Sequence, residues 1–137
     1  MKKLFVSLFL AFCSLAFAQE YSDVSKDYRL TFPDALYYKK DFRIQWWYFT
    51  GHLFDQTGRE FGYELTFFIV NVQKKEYTSR FGVNTVFISH FALTDTAGHS
   101  FHFSDNADTG AYGFAGAKDD RLNVWIDNNV LEGTIGT

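Results

Sequence analysis

Three long stretches of this chain have the hydrophobic patterns of β-strands rather than helices, and a period of two is clearest from Phe61 to Ile69. These stretches are rich in aromatic and β-branched residues and contain no proline: Arg43 to Phe54, Arg59 to Val72 and Asn84 to Thr94. Shorter strands are predicted over Phe101 to Ser104, Leu122 to Asp127 and Val130 to Ile135. No window combines helical spacing with helix caps, so the fold is predicted to be all-β.

The turns between these strands follow a repeated pattern. Asp55 and Gly58, and again Asp95 and Gly98, occupy the first and fourth positions of a type I turn. Aspartate can accept hydrogen bonds from the turn backbone, and glycine can adopt a left-handed conformation. Two similar hairpins are therefore expected, and a third is predicted with Asn128-Asn129 as its two-residue loop.

The first long strand is apolar on both faces. Such a strand lies between layers or lines an occupied interior, so the sheet is expected to curl towards an antiparallel barrel. Adjacent residues point to opposite faces, which separates Trp46 from Trp47. Trp46, Tyr48 and His52 share one face and are predicted to bind a ligand in an aromatic pocket. Trp47 is assigned to the core, with Phe49 and Leu53 on its face.

The N-terminus has the pattern of a signal peptide over residues 1–18. Lys2 and Lys3 precede an apolar run from Leu4 to Leu15, and Ala16-Phe17-Ala18 matches a small-x-small cleavage site. The run is shorter than the roughly 20 residues of a membrane span. The protein is therefore expected to be secreted, to a bacterial periplasm or the exterior.

Residues 19–31 are expected to form a polar lead-in and residues 32–137 a β-barrel domain. Six predicted strands are fewer than the roughly eight of a small ligand-holding barrel, so the domain is expected to be truncated. The mature part contains no cysteine and keeps 11 basic and 16 acidic side chains, a net charge of −5. This excess of acid disfavours nucleic-acid binding. His99 and His102 are three residues apart and point to opposite faces, so neither a metal site nor a cofactor is predicted.

Three blocks in order give the sequence a specific resemblance. They are Gln45 to Leu53 (with Phe32-Pro33 upstream), Phe61 to Phe68, and Ser89 to Asp95. The chain resembles the lipocalin-like family of carotenoid 1,2-hydratase (hydroxyneurosporene synthase) and the AttH-type exported proteins. The resemblance implies a lipocalin/calycin-like β-barrel, the first of two in one polypeptide. It implies a long hydrophobic ligand, a lipid or isoprenoid, with a second barrel domain as partner and transient membrane contact.

The same resemblance leaves an enzymatic alternative open. Family members include a hydratase that adds water to acyclic carotenoids, and others are described as predicted secreted hydrolases. This chain departs from the family pattern, however. Gln45 stands where an acid usually precedes the Trp-Trp pair, Ile69 replaces an arginine, and residues 34–41 contain no histidine. The resemblance implies that the hydratase's proton-donating acid belongs to a later part of the family sequence, which is absent here. Ligand binding is therefore the leading prediction, and hydration or hydrolysis is the alternative.

Glu64 and His90 are the candidate catalytic residues, and both are also assigned to the ligand pocket. Glu64 is either a solvent-facing carboxylate or a pocket acid that protonates an alkene or activates water. His90 shares a strand face with Val86, Ile88 and Ala92, so it is predicted to face inward, as a core histidine or a catalytic one. A third interpretation is that the domain is a structural scaffold, and that the functional sites lie elsewhere in a larger protein.

Overall fold

The chain folds as two antiparallel sheets, described in a computed structural model that covers residues 21–74, 77, 79 and 82–134. Sheet 1 is a meander in the order β1-β2-β3-β4: Ile44–Phe54, Glu60–Asn71, Thr85–Asp95 and Ser100–Asp108. Sheet 2 has the order β5-β6-β7: Ala115–Ala117, Leu122–Ile126 and Asn129–Gly133. Short 3₁₀ turns occur at Asp34–Leu36 and Ala111–Gly113. The predicted signal peptide, residues 1–18, and Ile135 of the last predicted strand lie outside the described residues.

The predicted all-β, antiparallel fold is confirmed, and the described residues form two open sheets rather than a closed barrel. Each predicted strand is present with small shifts at its ends. β4 continues to Asp108, four residues beyond the predicted end at Ser104. β5 was not predicted, because Ala-Gly-Ala carries no alternation of apolar and polar side chains.

The two aspartate-glycine hairpins form as predicted, but their glycines serve different purposes. Asp55 accepts hydrogen bonds from the backbone N–H of Thr57 (2.8 Å) and of Arg59 (3.0 Å), while Gly58 has a left-handed φ of 85°. In the second turn Asp95 accepts from the N–H of Gly98 at 2.8 Å, and the left-handed residue is His99, φ 49°.

Gly98 is closely packed against two side chains, and its φ angle is not left-handed. A Cβ atom there would lie 2.3 Å from Asp95 Oδ2 and 2.4 Å from Arg59 Nη2. These two side chains form an ion pair, with Arg59 Nε 3.0 Å from Asp95 Oδ1. The N–H of Gly98 lowers the pKa of Asp95 below its ordinary value, with Arg59 adding to the effect and burial opposing it. The pKa of Asp55 is also lowered, chiefly by the Thr57 hydroxyl.

The third hairpin forms one residue earlier than predicted. Ile126 pairs with Asn129, so the two-residue loop is Asp127-Asn128 rather than Asn128-Asn129. Asp127 takes the left-handed conformation, φ 51°. Asn129 is therefore part of β7, and its side chain links the two sheets: Nδ2 donates to Ser89 Oγ of β3 at 3.2 Å.

The core lies between the two sheets at one end of sheet 1. Its buried residues are Trp47, Phe67, Ile69 and Phe87 of sheet 1, Ala115, Val124 and Ile126 of sheet 2, and Tyr38. Trp47 is in the core as predicted, and its Nε1 donates to the carbonyl of Leu36 at 2.8 Å. Phe49 and Leu53 share its face but are 38% and 46% exposed, because the core covers only the first part of β1.

Asn71 connects the segment before β1 to the end of β2. Its Oδ1 accepts from the hydroxyls of Tyr38 (2.6 Å) and Thr85 (3.0 Å), and its Nδ2 donates to the carbonyl of Phe42 (2.8 Å). Without the Asn71 amide, the two hydroxyls and the carbonyl would each lose this hydrogen bond near the core, where an unpaired polar group is unfavourable. Asn71 therefore fixes the segment that carries the Trp47 hydrogen bond against sheet 1.

Candidate functional site

The candidate site is the face of sheet 1 that points away from sheet 2, called here the open face. In an antiparallel sheet, directly paired residues share a face, so the register determines its membership. Its members are Ile44, Trp46, Tyr48, Thr50, His52 and Phe54 of β1, Glu60, Gly62, Glu64, Thr66, Phe68 and Val70 of β2, Val86, Ile88, His90, Ala92 and Thr94 of β3, and Phe101, Phe103, Asp105 and Ala107 of β4.

All five residues predicted to form the site lie on the open face: Trp46, Tyr48, His52, Glu64 and His90. The predicted strand and the predicted grouping of its side chains are thus correct. The enclosure expected around them is not observed, since Trp46 is 60% exposed and Tyr48 53% exposed. Sheet 1 stays open on this side within the described residues, so the rings lie on a surface. Their role in binding stays a prediction.

One row of polar residues crosses the open face. The register aligns Tyr48, Thr66, His90 and Asp105 on four successive strands. Glu64 pairs with Ala92, which makes it a diagonal neighbour of His90, at a typical separation of about 7–8 Å between backbones. The structure therefore brings the two candidate catalytic residues into one neighbourhood.

His90 is an exposed residue rather than a core histidine. It lies on one face with Val86, Ile88 and Ala92 as predicted, but that face is open rather than inward. Its ring packs against that of Phe68 in an edge-type arrangement, with centroids 5.6 Å apart. At the far end of β1, His52 Nδ1 contacts the carboxylate of Glu60, so these two exposed side chains form a separate polar pair.

Apolar side chains flank the polar row on both sides. Ile44, Trp46, Phe68, Val70, Val86, Ile88 and Ala107 lie on one side, and Phe54, Phe101 and Phe103 on the other. Two shallow depressions border the row on the second side. One of about 410 Å³ includes His52, Glu64 and Phe101, and one of about 500 Å³ includes Glu64, His90 and Phe103. Glu64 borders both.

Sequence reasoning missed the contribution of β4 to this face. Phe101 and Phe103 are 62% and 72% exposed, and their rings stack with centroids 6.2 Å apart. Asp105 continues the same face beyond the predicted end of the strand. The sequence did contain a signal for this face. Phe101, Phe103 and Asp105 are spaced two residues apart, so they share one face of a strand that extends beyond Ser104.

Two positions that depart from the resembled family have structural roles here. Gln45 uses both ends of its amide: Oε1 accepts from the N–H of Lys39 and Nε2 donates to the carbonyl of Tyr37, each at 2.8 Å. Ile69 is fully buried in the core. Neither lies on the open face, so neither can supply acid–base chemistry to it.

Among the residues that the structure describes, no group of three or more His, Cys, Asp or Glu side chains is arranged to hold a metal ion. The same residues include no helix long and apolar enough to cross a membrane.

The fold and the open face define an all-β antiparallel domain of lipocalin-like class. The profile of the AttH-like family matches residues 23–137, and the chain therefore belongs to the AttH-like family. This confirms the resemblance to AttH-type proteins that the three sequence blocks predicted.

A solved structure supports the same assignment. A Nitrosomonas europaea protein, provisionally described as an AttH, superimposes on this chain with a TM-score of 0.67 and 28% sequence identity. The match covers 80% of this chain and 32% of that one, so this chain spans about a third of that protein's length. No curated protein matches the chain significantly.

Proposed function

We propose that this chain is an exported lipocalin-like domain that binds a long hydrophobic molecule, a lipid or an isoprenoid, on the open face of sheet 1. The observation that carries this proposal is the concentration of exposed rings on that face, with Trp46, Tyr48, Phe101 and Phe103 all more than half exposed. Exposed rings grouped on one face, rather than scattered singly over the surface, mark a site of ligand or partner binding.

The dimensions of the face favour an elongated ligand. β1 has 11 residues, and a strand of that length extends over about 35 Å. The apolar groups on either side of the polar row suit two hydrocarbon portions of one molecule. Tyr48, His90 and Asp105 offer hydrogen bonds to a polar group between those portions.

Bromine-labelled fatty acids test the proposal directly, because bromine quenches a tryptophan that it contacts. Titration of the full chain should quench fluorescence, and Trp46→Phe should remove most of this effect. Trp125→Phe is the matched control, since Trp125 lies in sheet 2, and it should retain the quenching. The absence of quenching with fatty acids and polyenes alike would count against the proposal, as would equal loss in the two variants.

Export and partners complete the proposal. Secretion rests on the signal-peptide pattern of residues 1–18, and transient contact with a membrane would load the ligand. A second barrel of the same polypeptide is the proposed partner, supported by the greater length of the Nitrosomonas europaea protein. Such a partner would cover part of the open face.

An enzymatic role, hydration or hydrolysis of an apolar substrate, is the second candidate. It is favoured by the proximity of Glu64, His90 and Asp105 on a face with exposed rings. A carbocation formed from an alkene would be attracted to the faces of Trp46 and Tyr48. In an active full-length protein, Glu64→Gln and His90→Ala should abolish turnover if this role is correct. Unchanged turnover would make both residues spectators.

A further inference from the structure

The open face contains no basic side chain apart from histidine. The four strands of sheet 1, all within the described residues, include no lysine or arginine, although the whole chain has 13 of them. The carboxylates of Glu60, Glu64 and Asp105 lie on this face. An anionic group placed here would therefore be repelled, whereas a cation would be attracted.

Two of these carboxylates have no partner in the described part of the chain. Glu60 contacts His52 Nδ1, but the exposed side chains of Glu64 and Asp105 form no ion pair or hydrogen bond with a described residue. They lie on either side of His90, since Asp105 pairs with it directly and Glu64 is its diagonal neighbour. His90 adds at most one positive charge, and only when it is protonated. Both carboxylates are therefore available to a ligand.

A small residue leaves room between Glu64 and the ring of Phe103. Glu64 pairs with Ala92 and Ala92 pairs with Phe103, so only a methyl group lies between the two larger side chains. Their backbones are two strand spacings apart, about 10 Å. The depression at this point, bordered also by His90 and Asp105, has a volume of about 500 Å³. Small-molecule sites fall in the range of roughly 300–1,000 Å³.

Aromatic rings add a second attraction for a cation. Phe101 and Phe103 border the same depression and are 62% and 72% exposed, with ring planes 25° apart. A cation within about 6 Å of a ring centroid is attracted by the ring quadrupole, which is how quaternary ammonium groups are recognised. A hydroxyl group could donate a hydrogen bond to Glu64 or Asp105. Only a cation is attracted by both the carboxylates and the rings.

The depression is connected to the apolar part of the open face. Trp46, Phe68 and Ile88 form one row across β1, β2 and β3. This row lies four residues from Ala92 along β3, about 14 Å. A hydrocarbon chain attached to a group above Ala92 can therefore extend along the sheet to the exposed ring of Trp46.

We propose that the ligand of the open face is a cationic amphiphile, an ammonium group attached to a long hydrocarbon chain. The ammonium group lies above Ala92, between Glu64 and the ring of Phe103. Asp105 supplies a second carboxylate beside it, and the chain extends to Trp46. This inference rests on the proposed binding function and narrows its ligand to one charge class.

Three ligands with the same ten-carbon chain and different head groups test this inference: decyltrimethylammonium, decanol and decanoate. They are titrated calorimetrically into the full chain at low ionic strength, far below micelle-forming concentrations. The cation should bind about fivefold more tightly than decanol, and decanoate more weakly than decanol. Equal affinity for the cation and decanol, or tighter binding of decanoate, would overturn the inference and leave the proposed binding function in place. Failure of all three to bind would overturn both.

Substitutions identify the groups that are responsible. Glu64→Gln keeps the size of the side chain but removes its charge, so the preference for the cation over decanol should fall to about twofold. Phe103→Leu should also lower the preference, because leucine is apolar but has no aromatic face. Asp119→Asn is the control, since it removes an exposed carboxylate between β5 and β6 and should keep the full preference. A full preference in both Glu64→Gln and Phe103→Leu, or an equal loss in Asp119→Asn, would overturn the inference.

Discussion

Trp46 and Trp47 are consecutive in β1 and lie on opposite sides of one sheet, 60% and 6% exposed. Trp47 fills the space between the two sheets and donates its indole hydrogen to the carbonyl of Leu36. Trp46 lies on the open face among other exposed rings. Two chemically identical neighbours therefore have different roles, one in stability and the other in proposed binding.

Alanine substitutions should separate these two roles. Trp47→Ala leaves a cavity and an unpaired carbonyl, and should lower the free energy of unfolding by about 3–5 kcal/mol. Trp46→Ala removes an exposed ring and should change it by about 0.5 kcal/mol or less. Denaturant unfolding of both variants provides the comparison. Equal destabilisation would show that Trp46 is also a core residue.

The two turn glycines should respond differently to alanine. Gly58→Ala places a Cβ on a left-handed residue with no atom near it, and should cost about 1–2 kcal/mol of stability.

Gly98→Ala forces the side chains of Asp95 and Arg59 apart, so the pKa of Asp95 should rise towards its ordinary value. NMR titration of the Asp95 carboxyl measures this effect, with Gly58→Ala as the control. A Gly98→Ala variant with an unchanged Asp95 pKa would contradict the packing argument.

Asp95 should also contribute to the loss of stability in acid. Its pKa is lowered in the folded state, chiefly by the N–H of Gly98, relative to an ordinary value of 3.8. The unfolded chain consequently binds a proton at higher pH than the folded chain does. The stabilisation is complete above the ordinary value and is lost as pH falls below it through the lower folded pKa. The stability difference between wild type and Asp95→Asn should therefore shrink in acid, and a difference independent of pH would refute the assignment.

Asn71 and Tyr38 should be energetically coupled. Asn71→Leu leaves the hydroxyls of Tyr38 and Thr85 and the carbonyl of Phe42 without this partner, at about 1–3 kcal/mol for each group that stays unpaired. Tyr38→Phe removes one of those groups. Its cost should be smaller in the Asn71→Leu background than in the wild type. A double-mutant cycle measures the coupling, and strict additivity would mean that the 2.6 Å hydrogen bond contributes nothing.

Phe103 should contribute to ligand binding on the open face. Phe103→Ser removes a highly exposed ring and should weaken the binding of a brominated fatty acid about tenfold, if a bound chain covers that ring. Phe114 is a matched control, because it is also more than half exposed but lies between the two sheets in sequence. Phe114→Ser should bind as the wild type does. Equal weakening in the two variants would indicate a nonspecific effect.

The sequence was sufficient for the features that depend on local chemistry. Runs of aromatic and β-branched residues without proline predicted six of the seven strands, and the period of two placed Trp46, Tyr48 and His52 on one face. The Asp-x-x-Gly pattern predicted both tight turns between the long strands. These features depend on steric and hydrogen-bonding preferences within a few residues, which the amino-acid order alone specifies.

The tertiary structure decided which face is buried and which residues meet. Periodicity separates Trp46 from Trp47 but cannot say which side sheet 2 will cover, because that depends on contacts between distant segments. The same applies to the row that joins His90 to Asp105 and to the bond from Asn129 to Ser89. The role of Gly98 likewise required the position of Arg59, 39 residues earlier in the chain. Local preferences thus set the strands and turns, whereas long-range packing set the core and the open face.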